Sequence, residues 1–426
     1  MKNSEIPTWF KRRYYDHFDL PVKAPVAIDY VCNPENVAKH AFFPFLSFQV
    51  RTIKVKFDKA ESKLKIKEKY RGISYAAHMD SHIYSYYASL LTDKYEEFLL
   101  NSGMSSSVLA FRALGKSNID FAKDAFDEIR RRGDCFVLAF DIKGFFDNLK
   151  HSVLKMNWCS LLGVEKLPAD HWNIFNSITK FSAVEKSSLT ALLRLSKSTS
   201  PAKHRICSVK DFREKVRAEG LVKTNKNYGI PQGSAISALL SNIYMMQFDS
   251  AVKEYIEMAG GAYYRYCDDM LLVVPIGCQA ETETFVLQQI KNISLEIQEA
   301  KTDRRMFCVN AEGQCKSDHP LQYLGFMFDG VSIALRSASL ARYSDKMKRG
   351  VKLARATMLK ANILRSERGE PSREIYRRKL LKRYSYFGRR NFISYGHKAA
   401  DIMNSDAIRR QLKPLWGRLK RRIDEA

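Results

Sequence analysis

Two adjacent carboxylates are the strongest chemical signal in this sequence. Asp268 and Asp269 follow an aromatic, β-prone stretch (262–266) and precede an apolar one (270–275). That pattern predicts two short strands meeting at a tight turn, with both acids at its tip. Neighbouring carboxylates repel each other, so the usual compensation is a bound divalent cation, and hard oxygen ligands suit magnesium. The alternative is a solvated Asp-Asp turn.

A third carboxylate follows a predicted buried strand. The apolar run 136–140 has the length of a central strand, and Asp141 comes directly after it. Catalytic groups are often displayed at the carboxyl end of such a strand. Asp141 could instead cap a helix predicted from Gly144 to about Trp158. With Asp268 and Asp269 it could hold two metal ions for in-line phosphoryl transfer.

A loop rich in glycine and proline lies between these acids in the sequence. Residues 228–234 lead into a helical pattern that runs from Ala235 to about Met258 and is closed by Gly260 and Gly261. Such a loop at a helix N-terminus offers backbone N–H groups to an anion, and Gln232 could contact a base or sugar edge. Taken alone, this element is better explained as an ordinary loop-to-helix turn.

In this order and spacing, the three elements resemble the palm motifs of reverse transcriptases. Asp141 with Phe146 resembles motif A, residues 229–234 with Asn242 resemble motif B, and residues 266–269 resemble motif C. Further similarities are Lys301-Thr302 to the motif D lysine, residues 323–326 to the primer-grip turn, residues 111–117 to the segment before motif A, and residues 71–73 to the fingers arginine. The resemblance covers roughly residues 60 to 335.

The resemblance implies an α/β (α+β) chain with the right-hand polymerase fold. Such a fold has fingers, a palm of antiparallel sheet plus helices, and a helical thumb. The expected boundaries are an N-terminal extension over 1–60, fingers over 61–134, a palm over 135–330 with a fingers insertion at about 151–226, and a basic helical thumb over 331–426. Val50 to Ser74 is predicted to form a strand pair.

The same resemblance assigns roles to individual residues. Asp141, Asp268 and Asp269 are the expected catalytic residues and, with the backbone carbonyl of Ile142, would hold two Mg²⁺ ions, or Mn²⁺ in their place. The expected nucleotide-binding residues are Arg71, Phe146, Gln232 and Lys301, and the expected primer grip is Leu324 with Gly325.

Phe146 is expected to select the sugar of the nucleotide. It follows Asp141 at the position where reverse transcriptases place an aromatic ring against the ribose 2′ position. A ring there leaves no room for a 2′-hydroxyl, which predicts deoxynucleotide substrates. The alternative is a core residue at the start of a helix.

Positive charge is concentrated near the C-terminus. The whole chain has a net charge of +25, and residues 331–426 hold 26 Lys and Arg against 8 Asp and Glu, a net charge of +18. Aromatic residues are interleaved with the basic ones, which predicts contact with a phosphate backbone. A solvated helical face is the alternative, but such a face is normally mixed in sign. The predicted nucleic-acid-binding residues are Arg377, Arg378, Lys382, Arg383, Arg389 and Arg390.

Length and composition limit the size of the core, the cellular location and the role of the cysteines. At 426 residues and 45% hydrophobic, the chain can bury a large core over two to three subdomains. No apolar run reaches membrane-spanning length and the N-terminus has no secretory apolar segment, so a cytoplasmic protein without a membrane partner is expected. Eight cysteines without a Cys-x-x-Cys pair indicate neither a zinc knuckle nor a disulfide framework.

One absent motif and one retained motif narrow the class of reverse transcriptase that the chain resembles. The thumb region lacks the Val-Thr-Gly tripeptide of retron enzymes, and the loop keeps Gly-Ile-Pro-Gln-Gly, unlike diversity-generating enzymes. Residues 391–396 and 411–416 resemble the C-terminal region of bacterial defence-associated reverse transcriptases, most of all the type 2 class. That resemblance implies a structured non-coding RNA as template, dNTPs as substrates, cDNA as product and a role in anti-phage defence.

Other classes of function stay open. One is a free-standing reverse transcriptase like those of group II introns, and another is a template-independent or protein-primed DNA polymerase. A third is a non-catalytic RNA-binding module on a decayed palm, against which the presence of all three acids argues. The sequence leaves the oligomeric state open, with a monomer favoured.

Overall fold

The computed structural model describes residues 6–58, 63–195, 205–225 and 227–426, without the side chains of 54–58 and 64–67. Parts of the expected N-terminal extension (1–5) and fingers insertion (196–204 and 226) lie outside the described residues. The helices are α1 Ala24–Val31, α2 Pro34–Ala38, α3 His78–Asn101, α4 Asn118–Arg132, α5 Phe145–Asn148, α6 His151–Leu162, α7 Ala169–Thr179, α8 Lys186–Leu192, α9 Val209–Asp211, α10 Ser237–Tyr244, α11 Met246–Met258, α12 Gln279–Asn292, α13 Ser337–Glu367, α14 Arg377–Tyr384, α15 Phe392–Ile402 and α16 Asp406–Asp424. The strands are β1 Phe45–Asp58, β2 Lys63–Tyr75, β3 Cys135–Asp141, β4 Ser182–Glu185, β5 Lys223–Thr224, β6 Ala262–Tyr266, β7 Asp269–Val274, β8 Asp303–Val309, β9 Cys315–Ser317, β10 Leu321–Tyr323, β11 Phe326–Phe328 and β12 Ile333–Leu335.

Two compact units divide the chain. The first unit comprises Met1–Phe111, Ile142–Glu254 and Phe285–Ile297, and the second unit comprises Arg112–Asp141, Tyr255–Thr284 and Gln298–Ala426. The boundaries between extension, fingers, palm and thumb stay predictions, because this division follows the density of contacts within the chain. The three predicted catalytic acids all belong to the second unit.

A five-stranded sheet forms the centre of the second unit. Its strand order is β6-β7-β3-β8-β9, and every neighbouring pair is antiparallel. The predicted central strand β3 lies in the middle, and its Val137 and Leu138 are fully buried. A separate antiparallel meander, β10-β11-β12, belongs to the same unit. The prediction of a mixed α/β chain with antiparallel sheet and helices is confirmed.

One hydrophobic core joins the sheet, the meander and the C-terminal helices of the second unit. It includes Leu271 from β7, Phe328 from β11 and Leu419 from α16. The buried residues of α16 are Ile408, Leu412, Leu415, Leu419 and Ile423. Their spacing of three and four residues makes one apolar helical face. The opposite face carries basic residues, so the basic helix is anchored on the core that it shares with the central sheet.

A second sheet belongs to the first unit. Its order is β2-β1-β4-β5, in which β1 and β2 form an antiparallel hairpin and β4 runs parallel to β1. The strand pair predicted over residues 50–74 is confirmed as β1 and β2, with residues 59–62 outside the described residues. A small core beneath it contains Leu46, Val184, Leu189 and Val216.

Two predicted helices are each interrupted. The helix expected from Ala235 to Met258 is split at Met245, because Asn157 Nδ2 donates to the carbonyls of Ile243 (3.0 Å) and Tyr244 (2.8 Å), which a continuous helix would use itself. The helix expected from Gly144 to Trp158 is split into α5 and α6. There Leu149 accepts a hydrogen bond from Gly229 (2.8 Å) instead of continuing the helix.

No described helix combines the length and the apolarity needed to cross a membrane.

Candidate active site

Asp141 and Asp269 lie directly opposite each other at one end of the central sheet. They form the last registered pair of the antiparallel strands β3 and β7. Directly opposed residues on one face have Cβ atoms about 4.5–5.5 Å apart. The backbone therefore brings together two acids that are far apart in the sequence. The capping alternative for Asp141 is wrong, because Gly144 and Lys150 occupy the N-cap positions of α5 and α6.

Asp268 lies at the tip of the predicted hairpin. Tyr266 pairs with Asp269, so Cys267 and Asp268 form a two-residue turn. Cys267 has φ 61°, a left-handed conformation that costs energy for a residue other than glycine. Arg265 is fully buried and donates from Nη1 to the Cys267 carbonyl at 3.1 Å. This hydrogen bond supports the strained turn that carries Asp268.

Arg265 is a site residue that the sequence analysis did not identify. The alternation of burial along β6 places Tyr263 and Arg265 on the inner face. An arginine at an inward position of an alternating strand was the available signal, since charged residues are seldom buried without a structural partner. The aromatic character of its neighbours obscured that signal.

The charge of Asp269 is suppressed by its surroundings. Burial, followed by the charges of Asp268 and Asp141, raises the pKa of Asp269 to about 7, while Lys301 and Arg336 act in the opposite direction. Burial also raises the pKa of the Cys267 thiol, and the neighbouring Asp268 adds to that effect. The thiol is therefore protonated and a poor nucleophile.

Lys301 contacts one of the predicted catalytic acids directly. Its Nζ forms an ion pair with Asp141. The segment before it is fastened to the end of β3, since Gln298 N donates to the Asp141 carbonyl at 2.7 Å and Lys301 N donates to Gln298 O at 2.8 Å. Lys301, which is predicted to bind the nucleotide, therefore pairs its ammonium group with the Asp141 carboxylate.

The donor set fits a divalent cation. Three carboxylates, none fully exposed, crowd one end of the sheet, and burial together with the charges of Asp268 and Asp141 raises the pKa of Asp269. Ile142 and Ile297 form an isolated antiparallel bridge. The two hydrogen bonds of this bridge are donated by the backbone N–H groups of Lys143 and Gln298. The Ile142 carbonyl is therefore not used in that bridge. Among the described residues no three His, Cys, Asp or Glu side chains form a preassembled metal cluster, and Asp141 pairs with Lys301 instead.

In the first unit, the glycine-proline loop packs on both Phe146 and β2. Ile230 N donates to the Phe146 carbonyl at 2.9 Å, and Ser74 N donates to the Gln232 carbonyl at 2.7 Å. Gly233 has φ 113°, and a Cβ atom there would lie 2.6 Å from the Ser74 carbonyl oxygen. This close approach requires glycine.

The side chains of Phe146, Gln232 and Arg71 remain accessible. Phe145 is the buried member of the Phe-Phe pair, with 3% of its surface exposed, whereas Phe146 is only half-buried. Within the described residues the Gln232 amide makes no hydrogen bond, and Arg71, exposed on β2 opposite Val50, has no carboxylate partner. These groups are free to meet a ligand.

The predicted primer grip is a two-residue hairpin turn in the second unit. Leu324 and Gly325 connect β10 to β11 with φ values of 44° and 95°. Two positive φ values are typical of a type I′ turn. Asn118 Nδ2 donates to the Leu324 carbonyl at 3.0 Å, and Arg336 N donates to the Gly325 carbonyl at 3.1 Å. The turn is thus fixed to the start of α4 and to the residue before α13.

The six predicted nucleic-acid-binding residues lie on α14 and the loop after it. All six are exposed. Arg377 pairs with Asp424 at 3.1 Å, and Arg383 lies over the Tyr384 ring at 5.7 Å. In the part of the chain that the structure describes, the other four have no carboxylate partner; they are Arg378, Lys382, Arg389 and Arg390. Positive side chains that no carboxylate neutralises can bind the phosphates of a nucleic acid.

A family model matches the middle of the chain. Residues 169–328 match the family described as reverse transcriptase (RNA-dependent DNA polymerase). The chain carries a reverse transcriptase domain. The matched segment includes Gln232, Asp268, Asp269 and Lys301 but begins after Asp141, which the structure supplies as the strand partner of Asp269. Domains of this family generally use divalent metal ions, and the acids described above fit such ions.

Three solved structures of yeast telomerases are remotely similar to this chain. The apo telomerase of Candida tropicalis truncated from its C-terminal domain is 10% identical, with a TM-score of 0.39 over 74% of this chain and 61% of that chain. The apo telomerase of the same species is 13% identical, with a TM-score of 0.40 over 80% and 59%. The telomerase of Candida albicans in complex with a fragment of telomeric RNA is 13% identical, with a TM-score of 0.41 over 93% and 65%.

The chain therefore spans about three fifths of the length of these telomerases. Similarity at this level does not transfer a property to the present chain. No curated protein matches the sequence.

Proposed function

We propose that this protein is a nucleotidyltransferase that synthesises DNA on an RNA template. The observation that carries the proposal is the pairing of Asp141 with Asp269 beside Asp268, in a chain whose residues 169–328 match the reverse transcriptase family. Three clustered acids at strand ends are the donor set that phosphoryl transfer by two metals requires. Fingers, palm and thumb of a right-hand polymerase are the architecture expected for this activity.

Asp141 and Asp268 are the principal ligands in this proposal, with Asp269 in support. Two bound Mg²⁺ ions, or Mn²⁺, would supply activation of the primer 3′-hydroxyl and stabilisation of the leaving pyrophosphate. Lys301 holds a proton at Nζ next to Asp141. With the Asp141 carboxylate engaged as a metal ligand, that ammonium group would be free to give its proton to the pyrophosphate. The Ile142 carbonyl, unused by its bridge, is the proposed backbone ligand.

Residues of the first unit would bind and select the nucleotide. Arg71 has an exposed guanidinium for triphosphate oxygens, and Gln232 has an unpaired amide for a base or sugar edge. Phe146 is half-buried and not part of the core, which favours a role against the sugar over a packing role. Its ring would exclude the ribose 2′-hydroxyl and so restrict the substrates to dNTPs.

Primer extension on a defined RNA template tests the activity. Wild-type protein with Mg²⁺ and dNTPs should extend an annealed primer, whereas Asp141→Asn and the double variant Asp268→Ala/Asp269→Ala should not. Asp318→Asn is the matched control, because Asp318 is an exposed acid between β9 and β10. Extension by the double variant at the wild-type rate would overturn the assignment of these acids. Absence of extension by the wild type on primed RNA would count against the activity itself.

We propose further that the template is a dedicated structured non-coding RNA and that the cDNA acts in bacterial anti-phage defence. The support is the resemblance of residues 391–396 and 411–416 to the C-terminal region of defence-associated enzymes. Within this region Asn391 caps α15 together with Ser394, and Gln411 bonds the backbone of Leu335 in both directions. The resemblance thus includes residues that stabilise the basic helices.

Sequencing of copurified nucleic acids tests this second proposal. Wild type and the variant Asp268→Ala/Asp269→Ala would be expressed with their native flanking DNA. Retention of one small RNA by both proteins, with complementary cDNA only in the wild type, is the expected result. If neither protein retains a specific RNA while the wild type copies any primed template, a general reverse transcriptase remains and the dedicated-template proposal fails.

A further inference from the structure

A cavity opens on the surface of the C-terminal helices. Its volume is about 380 Å³, within the range of about 300–1,000 Å³ typical of ligand pockets. Tyr384, Ile393 and Leu412 are buried and form its floor. Tyr386 and Trp416 form aromatic walls, and Lys413 lies at the rim. We call this site the aromatic cavity.

The walls belong to an exposed aromatic cluster. The ring centroids of Tyr386 and Trp416 are 5.2 Å apart at an interplanar angle of 58°, and Phe387 is 5.8 Å from Trp416. Tyr386 is 55% exposed and Phe387 is 61% exposed. Adjacent aromatic side chains left this open to solvent, next to a cavity, indicate a surface that binds a partner.

The loop that carries Tyr386 is held in one conformation. Asn391 Nδ2 donates to the Ser385 carbonyl at 2.7 Å, and Phe387 N donates to Ser385 Oγ at 3.2 Å. At Gly388 an added Cβ atom would lie only 1.7 Å from the Lys382 carbonyl oxygen. The aromatic walls are therefore positioned before a ligand arrives, which lowers the entropic cost of binding.

The charge around the cavity is positive and largely uncompensated. Arg409 pairs with Asp401 and Asp406, which neutralises the nearby acids. Lys413 at the rim, and Arg389 and Arg390 in the same loop as Tyr386, have no carboxylate partner among the described residues. An apolar slot with Lys413 in its lining, and with Arg389 and Arg390 in the loop that also carries Tyr386, suits a planar ring attached to phosphates better than an apolar peptide.

We propose that the aromatic cavity binds an unpaired nucleobase of single-stranded RNA. The base stacks against Tyr386 and Trp416, and the flanking phosphates meet Lys413, Arg389 and Arg390. Proteins recognise RNA chiefly through unstacked bases of loops and ends, which aromatic side chains receive. Bases within a duplex of template and product are paired and stacked, so they cannot enter. The inference rests on the proposed function for its choice of RNA over other single strands.

Binding of a short labelled RNA to the full chain tests the proposal. The probes are an unstructured single-stranded RNA, the blunt duplex formed with its complement, and single-stranded DNA of the same sequence. Stacking of one base predicts that Tyr386→Ala weakens binding of the single-stranded RNA by about fivefold or more, while binding of the duplex stays unchanged. Tyr376→Ala is the matched control, because Tyr376 is 64% exposed and does not line the cavity.

Photo-crosslinking gives a second readout that needs no variant. RNA carrying a photoreactive uridine should crosslink to the wild-type peptides that contain Tyr386 or Trp416. Unchanged RNA affinity in Tyr386→Ala, or crosslinks confined to other peptides, overturns the proposal. Equal affinity for the DNA strand, with an equal loss in Tyr386→Ala, overturns the assignment to RNA.

A second experiment separates this inference from the proposed function. It measures extension of a primer on a template whose only unpaired nucleotides are those to be copied. Tyr386→Ala should extend that substrate at the wild-type rate, because no unpaired base outside the template is needed. A wild-type protein that binds single-stranded RNA through the cavity but makes no DNA would contradict the polymerase function and leave the cavity as an RNA site.

Discussion

The fully buried guanidinium of Arg265 donates a hydrogen bond to the carbonyl of Cys267, the residue of the catalytic turn that has a positive φ. The turn presents Asp268, and its backbone conformation is unfavourable for a residue with a side chain. A hydrogen bond to a charged donor contributes about 1.5–3 kcal/mol, which is comparable to the cost of the strained residue. Arg265 is therefore a positioning residue for the acids.

Arg265→Met should destabilise the fold by about 2 kcal/mol or more and raise the Mg²⁺ concentration needed for half-maximal primer extension. The reason is that the turn loses its donor and Asp268 loses its fixed position. Cys267→Gly is the matched variant, since glycine adopts φ 61° without strain, and it should keep both stability and Mg²⁺ dependence. Unfolding by urea and a Mg²⁺ titration of extension measure the two effects. An unchanged Mg²⁺ dependence in Arg265→Met would contradict the positioning role.

Neighbouring phenylalanines should respond differently to truncation. Phe146→Ala should admit ribonucleotides into the product with little loss of stability, because this ring is half-exposed. Phe145→Ala should cost about 3–5 kcal/mol of unfolding free energy, because Phe145 is buried, without relaxing the choice of sugar. Competition between dNTPs and rNTPs in primer extension, together with denaturation, checks both. Unaltered discrimination in Phe146→Ala would defeat the proposed sugar selection.

Between about pH 4 and about pH 7, the metal-free protein should lose stability relative to the variant Asp269→Asn. Asp269 has a pKa of about 7 in the folded chain against an ordinary 3.8, so within this window the folded state holds a proton that the unfolded state has lost. The contribution of this group to the unfolding free energy is complete below about pH 4. It falls by about 1.4 kcal/mol per pH unit between about pH 4 and about pH 7. Urea unfolding in a chelating buffer, at several pH values, measures the slope.

Saturating Mg²⁺ should reduce this difference between the wild type and Asp269→Asn, because a cation stabilises the ionised carboxylates. The variant is the reference because burial lowers the pKa of His17 and His82 to about 4, which gives both proteins a shared pH dependence of opposite sign. Equal pH dependence of the unfolding free energy in the two proteins would contradict the raised pKa of Asp269.

Lys301→Ala should bind Mg²⁺ more tightly and yet extend primers more slowly. In the folded chain Nζ and the metal compete for Asp141, and removal of the lysine ends that competition. The same change removes the proposed proton donor for pyrophosphate. Calorimetry with Mg²⁺ alone and single-nucleotide extension measure the two consequences. Lys316→Ala is a suitable control, since Lys316 is an exposed lysine on β9. Weaker Mg²⁺ binding in Lys301→Ala would contradict the competition.

Gly233→Ala should abolish nucleotide incorporation. An alanine Cβ atom would lie 2.6 Å from the Ser74 carbonyl, so the loop that holds Gln232 must move away from β2. Gly220→Ala is the control, because Gly220 also has a positive φ (65°) but has no atom within 4 Å of the added Cβ. Both variants carry backbone strain, and only Gly233→Ala carries the collision. Equal activity of the two in steady-state extension would count against the packing of this loop on β2.

Local pattern was sufficient to predict the hairpin of Asp268 and Asp269 and the strand that ends at Asp141. Each depends on a few residues whose alternation or apolar run specifies one backbone conformation. The pairing of β1 with β2 was predictable for the same reason. The side-by-side placement of Asp141 and Asp269 was an inference from family resemblance, and the register of β3 with β7 supplies its physical basis.

Interactions between distant residues explain what local pattern could not predict. The break at Met245 depends on Asn157, about ninety residues upstream, whose amide takes two helical carbonyls. The contact between Lys301 and Asp141 depends on how the segment after α12 returns to the end of β3. From the sequence alone, Arg265 would be predicted to lie on the surface. Its burial becomes apparent only when β6 is placed beside β7. In each case tertiary contacts override a local preference.

The shared core of the second unit has a consequence for any attempt to exchange its parts. Transplanting α16 into another enzyme would expose the apolar stripe of Ile408, Leu412, Leu415, Leu419 and Ile423, and the donor would lose the floor beneath its own meander. A protease that cut in the loop before α16 would weaken the catalytic sheet as well as the basic surface. The basic surface and the strands that carry the predicted catalytic acids therefore depend on one shared core and would be lost together.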